Sequence, residues 1–100
     1  MRLMTAELEK RFAQVGSQEE AKDPVIVAKF FNPMGAGTWY ATEYDSDNKM
    51  FFGYVSIFGG IEDEWGYFSI TELESYESPY GTGIERDLYW TERKASSVIH

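Results

Sequence analysis

Four short segments with the composition of β-strands follow one another between residues 25 and 69 of this chain. They read VIVAKFF (25–31), TWYATEY (38–44), MFFGYVSIF (50–58) and EDEWGYFS (62–69). The turns between them are short and carry glycine, proline, aspartate or asparagine. Because short turns join strands that pair with their neighbours along the chain, the sequence predicts an antiparallel meander.

Two short helices are predicted beside these strands. Thr5 is expected to cap a helix that ends near Phe12. The string SITE (69–72) is a capping box, in which Ser69 caps the second helix and Glu72 reaches back to it. The second helix is therefore expected to start directly after the fourth strand.

The length of 100 residues limits the chain to one small domain. DLYW (87–90) is expected to add a last short strand, and the polar tail, 91–100, is expected to be flexible. The predicted fold is a single α+β domain that is ordered over about residues 3–90. It consists of a four- to five-stranded antiparallel meander sheet with two short helices.

The stretch WGYFSITELESY (65–76) places three aromatic residues directly before the second helix. Trp65, Tyr67 and Phe68 suit either a stacking platform for a base or sugar, or the interior of the protein. The aromatic content of 17% is high, and large rings fill a small core efficiently. The sequence favours the interior, so we expect the three rings to hold the sheet to the helix, with Phe68 packed on Leu73.

The net charge of −8 is concentrated in one part of the chain. Nine acids and a single base, Lys49, lie between Glu43 and Glu77, so this segment alone carries a charge of −8. Such a surface repels a phosphate backbone, so direct nucleic-acid binding is not expected, whereas a protein partner with a basic surface is. The alternative left open is that the acids only keep the domain in solution.

Tyrosines are so frequent in the predicted sheet that one face cannot bury them all. In the second strand, Tyr40, Thr42 and Tyr44 are expected to share one face, because side chains alternate along a strand. Tyrosine is a common interface anchor, so exposed rings here are expected to contact a partner. The candidate interaction surface combines these rings with the acids: Glu43, Asp45, Asp47, Glu62, Asp63, Glu64, Tyr40, Tyr44 and Tyr54.

No residue pattern suited to catalysis, metal binding or cofactor binding stands out. The chain has no cysteine and its one histidine is His100, which argues against zinc clusters and histidine-based triads. The string DSDN (45–48) begins like a calcium loop, but Lys49 and Met50 stand where that motif needs Asp or Asn and then glycine. A turn with side-chain hydrogen bonds is favoured there, and the chain is expected to be a non-enzyme without a cofactor.

Arg86 is the single basic residue to which a specific role is assigned. In an alternating strand, Glu85 and Asp87 point to one side and Arg86 points to the other. Arg86 is therefore expected to reach inward and brace the C-terminal segment through a carboxylate or loop carbonyls. A ligand-binding arginine is the alternative.

The chain shows no targeting or membrane signal. Its N-terminus lacks the apolar stretch of a secretion signal, and no apolar run approaches the ~20 residues that span a bilayer. A cytoplasmic protein without a membrane partner is expected.

Six strings, in this order, resemble a family of short bacterial proteins, domain of unknown function 2958. They are LMTAELEKRF (3–12), GSQEEAKDPVIVAKFF (16–31), TWYATEYD (38–45), FFGYV (51–55), GYFSITELES (66–75) and GIERDLYW (83–90). The string SIFGGIEDEW (56–65) departs from the resemblance, so Glu62 to Glu64 receive no family role. The resemblance implies cargo of plasmids, phages and other mobile genetic elements, and it carries over no catalytic residues.

The leading hypothesis is a small, acidic, non-enzymatic accessory protein of a mobile element that binds another protein. A host defence system is the suggested target, as for anti-restriction or anti-CRISPR proteins, and in a sharper form the carboxylates imitate nucleic-acid phosphates. The alternative is a small-ligand or nucleotide-binding module that uses the aromatic sheet and Arg86. A ligand module needs a concave pocket with converging polar groups, whereas a mimic needs a flat or convex acidic face.

Overall fold

A computed structural model describes residues 2–57 and 63–99. In chain order its elements are helix α1 (Ala6–Val15), strands β1 (Val25–Ile26), β2 (Ala28–Phe31), β3 (Thr38–Asp45), β4 (Met50–Ser56) and β5 (Glu64–Ser69), helix α2 (Ile70–Ser75), strands β6 (Glu85–Arg86) and β7 (Arg93–Lys94), and a 3-10 helix (Ala95–Ser97). The predicted α+β class is confirmed.

The main sheet has five antiparallel strands in the order β5-β4-β3-β2-β6. Strands β2 to β5 form the predicted meander, and β6 adds to the free edge of β2. The segment 25–31, predicted as one strand, is divided: β1 leaves the main sheet and pairs with β7 in a separate two-stranded sheet. The antiparallel meander is therefore confirmed, with a small second sheet beside it.

The last strand of the main sheet lies earlier than predicted, at Glu85–Arg86 rather than at 87–90. Asp87 still donates its backbone N–H to the Lys29 carbonyl at 2.9 Å, but its side chain then accepts the Tyr89 N–H, also at 2.9 Å. This hydrogen bond closes a turn and ends the strand, because an aspartate side chain competes with the ladder for backbone donors.

Both helices begin at the predicted caps. Thr5 Oγ1 accepts the Leu8 N–H at 3.1 Å, and α1 continues past Phe12 to Val15. Ser69 Oγ accepts the Glu72 N–H at 3.2 Å and starts α2. Within the described part of the chain, the return bond from the Glu72 carboxylate to Ser69 is not formed, so the capping box is half complete.

One face of the main sheet, which we call the covered face, packs against α1 and α2. Phe51 lies at its centre and is fully buried. The centroid of its ring lies 4.9 to 5.6 Å from those of its aromatic neighbours, which are Phe12, Phe30, Tyr44 and Phe68. Ile70 and Leu73 of α2 complete this core. Burial of these rings supplies most of the driving force for folding.

The C-terminal segment, expected to be flexible, contains β7 and the 3-10 helix. The Ala95 N–H bonds to the Pro24 carbonyl at 2.8 Å. Ser96 donates from its backbone and its hydroxyl to the two carboxylate oxygens of Asp23, at 2.8 and 2.5 Å. These bonds place the segment against the loop before β1, and its flexibility stays a prediction.

Candidate functional site

The face of the main sheet opposite the core, which we call the outer face, carries Trp65 and Tyr67. Their exposed fractions are 40% and 74%, whereas that of Phe68 is 9%. Successive residues of a strand point to opposite faces, so Phe68 reaches the core and its neighbour Tyr67 does not. The expectation that all three rings hold the sheet to the helix is therefore corrected: only Phe68 lies in the core.

Six aromatic side chains form one continuous series of ring contacts on the outer face, which we call the aromatic row. In order they are Tyr67, Phe52, Trp65, Tyr54, Tyr40 and Trp90. Neighbouring ring centroids lie 5.0 to 6.5 Å apart. These spacings lie within the range at which aromatic rings attract one another. The row crosses three strands and gives the outer face an aromatic surface without a helix over it in the described residues.

A β-bulge decides which tyrosines belong to this row. The pairing of β3 with β4 shifts between Ala41 and Glu43, so Thr42 is an extra residue in β3. Tyr40 before the bulge lies on the outer face, and Tyr44 after it packs on the covered face. The expectation that Tyr40, Thr42 and Tyr44 share one face is wrong, because the extra residue reverses the alternation.

Two residues make the bulge possible. Thr42 is almost fully buried, and its hydroxyl donates to the Phe52 carbonyl at 3.1 Å. Gly53 lies where β3 comes closest, and a Cβ there would collide with the carbonyl oxygen of Tyr40. The glycine is therefore required by the close approach of the two backbones.

Gln18 fastens the loop before β1 to the bulge. Its side-chain amide donates to the carbonyls of Val25 and Thr42 at 2.8 and 2.7 Å and accepts the Val25 N–H at 2.7 Å. Its backbone N–H donates to Glu43 Oε2 at 3.2 Å. The sequence shows only a glutamine in a polar loop, so its role had no recognisable signal. These four hydrogen bonds of Gln18 hold the loop against the outer face.

A cavity of about 360 Å³ lies between this loop and the aromatic row. Its aromatic side is formed by Phe52, Trp65 and Tyr67. The charged side chains that line it are Glu19, Lys22 and Glu43. The volume falls in the range of small-ligand sites, and apolar walls with a few polar groups are typical of them.

The opposite end of the aromatic row is occupied by cations of the chain itself. The Lys29 ammonium lies 5.9 Å from the ring centroids of both Tyr40 and Trp90, and 3.9 Å from Asp87. The Arg93 guanidinium lies 4.8 Å from the Trp90 centroid, within the range of cation–π attraction. At this end of the outer face, the rings therefore already contact cations of the same chain.

The acids of the segment 43–77 do not form one surface. Asp45 accepts hydrogen bonds from Asn48 and from the Asp47 N–H, and the bonds from Asn48 hold the pKa of Asp45 below its usual value. This hairpin turn and Glu64 lie at opposite ends of the paired strands β4 and β5. The length of β5 separates these two ends by about 17 Å. Glu72, Glu74 and Glu77 lie on or directly after α2, on the covered side of the sheet.

Individual acids of the segment 43–77 have local partners. Asp63 accepts a hydrogen bond from the Tyr54 hydroxyl at 3.3 Å. Burial, and after it the charge of Asp63, raises the pKa of Tyr54 and of Tyr40 above the ordinary value of a tyrosine. Glu74 accepts the Leu3 N–H at 2.9 Å. Glu62 lies outside the described residues.

Arg86 and the aromatic row lie on opposite faces. Arg86 pairs with Phe30 across β6 and β2, so its side chain points to the covered face. It lines a cavity of about 560 Å³ with Arg11 and the first turn of α1. The aromatic sheet and Arg86, combined in one site by the sequence-based alternative, are therefore not brought together. The bracing role of Arg86 stays a prediction.

Residues 2–57 and 63–99 contain neither a metal-binding cluster nor a membrane-spanning helix. No group of three or more acidic or histidine side chains in these ranges is placed to hold a metal ion. The helices found there are too short and too polar to cross a bilayer.

Comparison with known proteins places the chain in one family. No curated protein and no solved structure matches it. The family described as "Protein of unknown function (DUF2958)" matches residues 3–99, which is almost the whole chain and confirms the resemblance seen in the sequence. This protein belongs to the DUF2958 family.

Proposed function

We propose that this protein is a non-enzymatic binding protein that docks another protein on the outer face of its sheet. The observation that carries the proposal is the aromatic row. A contiguous aromatic patch that is partly exposed on a domain of this size is typical of an interaction site. Tyr67 and Trp65 at its open end are the exposed members.

The residue types of the row suit a protein interface. Tyrosine and tryptophan are the commonest anchors of protein–protein interfaces, since they present a large apolar area and a polar tip. The Tyr40 hydroxyl adds a polar tip to the row, whereas the Tyr54 hydroxyl already donates to Asp63. The row lies on a sheet held by a buried core, so little ordering is needed when a partner binds.

The net charge of −8 favours a partner with a basic surface. Imitation of a phosphate backbone receives less support, because the acids are distributed over both ends and both faces of the sheet. A component of a host defence system, suggested by the family resemblance to mobile-element cargo, remains our proposed class of target. It stays a prediction until a partner is identified.

The second candidate function is a small-ligand module, which the cavity beside Trp65 favours. A nucleotide is a poor match for this cavity, since its phosphates would meet the carboxylates of Glu19 and Glu43 against the single ammonium of Lys22. The cavity also opens onto the aromatic row, so we regard it as part of the protein-docking surface.

The proposal is tested by capture with matched variants. Tagged wild-type protein, Tyr67→Ser and Tyr80→Ser are used as baits in lysates of a bacterial host with and without the mobile element. Tyr80 is the control because it is a tyrosine of similar exposure, 80%, in the loop after α2. We expect a protein that wild type and Tyr80→Ser recover equally and that Tyr67→Ser recovers about tenfold less or worse.

The purified pair then shows whether charge contributes. Association should slow as salt rises, because screening weakens the attraction between the acidic domain and a basic partner. Identical recovery by all three baits would contradict docking on the outer face.

A further inference from the structure

Both ends of the aromatic row consist of aromatic side chains, but cations of the described part of the chain lie over the rings at one end only. At the Trp90 end, lysine and arginine side chains of the chain lie over the rings. Among the described residues, no lysine or arginine lies over the rings of Phe52, Trp65 or Tyr67. The cavity end therefore presents aromatic side chains of the same class as those that hold a cation at the other end.

Carboxylates stand beside these rings. Glu43 is the cross-strand partner of Phe52, and the Gln18 N–H at 3.2 Å fixes its carboxylate in place. Glu19 lines the same cavity, and Lys22 offsets one of the two negative charges. An aromatic wall next to a carboxylate attracts a cation twice over, through the ring quadrupole and through charge.

We infer that this cavity binds a lysine or arginine side chain of the partner protein, an inference that rests on the proposed docking at the outer face. The apolar stem of such a side chain packs along Phe52 and Trp65 while its charged head reaches Glu43. Glu19 and Glu43 outnumber Lys22, so the cavity favours a cation over an anion. A protein supplies the cation under the proposed docking, because three members of the aromatic row line the cavity.

The test uses the three tryptophans as reporters, since each occupies a different place. Trp65 lines the cavity, Trp90 lies at the other end of the row, and Trp39 packs against the core. Their indole N–H signals are followed by NMR on the ¹⁵N-labelled full chain. The probes are Nα-acetyl-lysine methylamide, Nα-acetyl-arginine methylamide and the uncharged Nα-acetyl-norleucine methylamide.

We expect the lysine or arginine amide to shift the Trp65 signal at concentrations that leave Trp39 and Trp90 unchanged. The norleucine amide should bind about fivefold more weakly, which is the size of a cation–π interaction at a partly exposed site. Glu43→Gln should weaken the cationic amides about threefold, because it removes a partly exposed charge and keeps the acceptor for Gln18. Glu20→Gln, an exposed acid of the same loop outside the cavity lining, should not.

Three results would overturn the inference: a norleucine amide that binds as well as the cations, a silent Trp65 signal, or equal effects of Glu43→Gln and Glu20→Gln. If a captured partner is lost with Tyr67→Ser but binds Glu43→Gln as well as wild type, the inference fails and the proposed function stands. If Trp65 responds to the cationic amides and no bait recovers a protein, the proposed function fails, and with it the partner as source of the cation.

Discussion

Phe51 and Phe52 are neighbours in β4, and Tyr67 and Phe68 are neighbours in β5, yet each pair is divided between the two faces of the sheet. Phe51 and Phe68 face each other in the core, with ring centroids 5.3 Å apart. Phe52 and Tyr67 face each other on the outer face at a similar distance, 5.0 Å. The two centroid distances are similar, but helices cover only the first pair.

The difference shows that a high aromatic content serves two purposes in this domain. On the covered face, rings are removed from water and contribute to the free energy of folding. On the outer face, Trp65 and Tyr67 stay largely exposed and contribute less to the free energy of folding, so under the proposed function they are available to a partner. A sequence cluster such as Trp65, Tyr67 and Phe68 cannot be assigned to one purpose as a unit.

Among the changes at the bulge, the Gln18 loop and the C-terminal segment, the largest effect is expected for Gly53→Ala, which disturbs the bulge in β3. The new Cβ would collide with the Tyr40 carbonyl, and moving a strand costs about 3 kcal/mol of unfolding free energy. Gly66 is the matched control: it is the cross-strand partner of Gly53, and a Cβ there meets no atom within 4 Å. Urea denaturation should show a large loss for Gly53→Ala and a small one for Gly66→Ala; equal losses would contradict the role of the close approach.

A smaller loss of unfolding free energy is expected for Gln18→Ala, which releases the loop that lines the cavity and leaves the rings of both faces unchanged. The Thr42 carbonyl and the Val25 N–H lose their partner, which costs about 2 kcal/mol. The Trp65 indole signal should shift, while that of Trp39 should not. Gln14→Ala, an exposed glutamine on α1, is the control. An unchanged Trp65 signal would show that the loop does not shape the outer face.

Much of the covered face could be predicted from sequence, and little of the outer face could. Strand composition, short turns and the caps at Thr5 and Ser69 are local signals, so the meander and both helix starts were readable. The bulge at Thr42 depends on a close approach to Gly53 from another strand. The role of Gln18 likewise depends on contacts distant in sequence. The faces of Trp65 and Tyr67 follow from alternation alone, and that signal was available.

The smallest effect concerns the C-terminal segment that fills the Trp90 end. Hydrogen bonds from Ser96 hold the pKa of Asp23 below its ordinary value of 3.8. The stabilisation is therefore complete above pH 3.8 and is lost as the pH falls through the lower folded-state pKa. The Trp90 indole signal should change in that acid range. In Asp23→Asn this pH-dependent change should be absent. Asp45→Asn, which alters a lowered pKa in the distant hairpin, should leave it; an identical acid profile in Asp23→Asn would contradict the assignment.

The most direct measurement of the division between faces is the unfolding free energy of Phe68→Ala and Tyr67→Ala, determined side by side in urea. The two residues are adjacent in β5, and each contacts a phenylalanine of the neighbouring strand β4. We predict a loss of about 3–5 kcal/mol for Phe68→Ala, because a buried ring is replaced by a cavity. For Tyr67→Ala we predict a loss below about 1 kcal/mol, because its ring is largely exposed. A Tyr67→Ala variant that is destabilised as much as Phe68→Ala would show that the outer face is part of the folding core and would contradict its assignment as a docking surface.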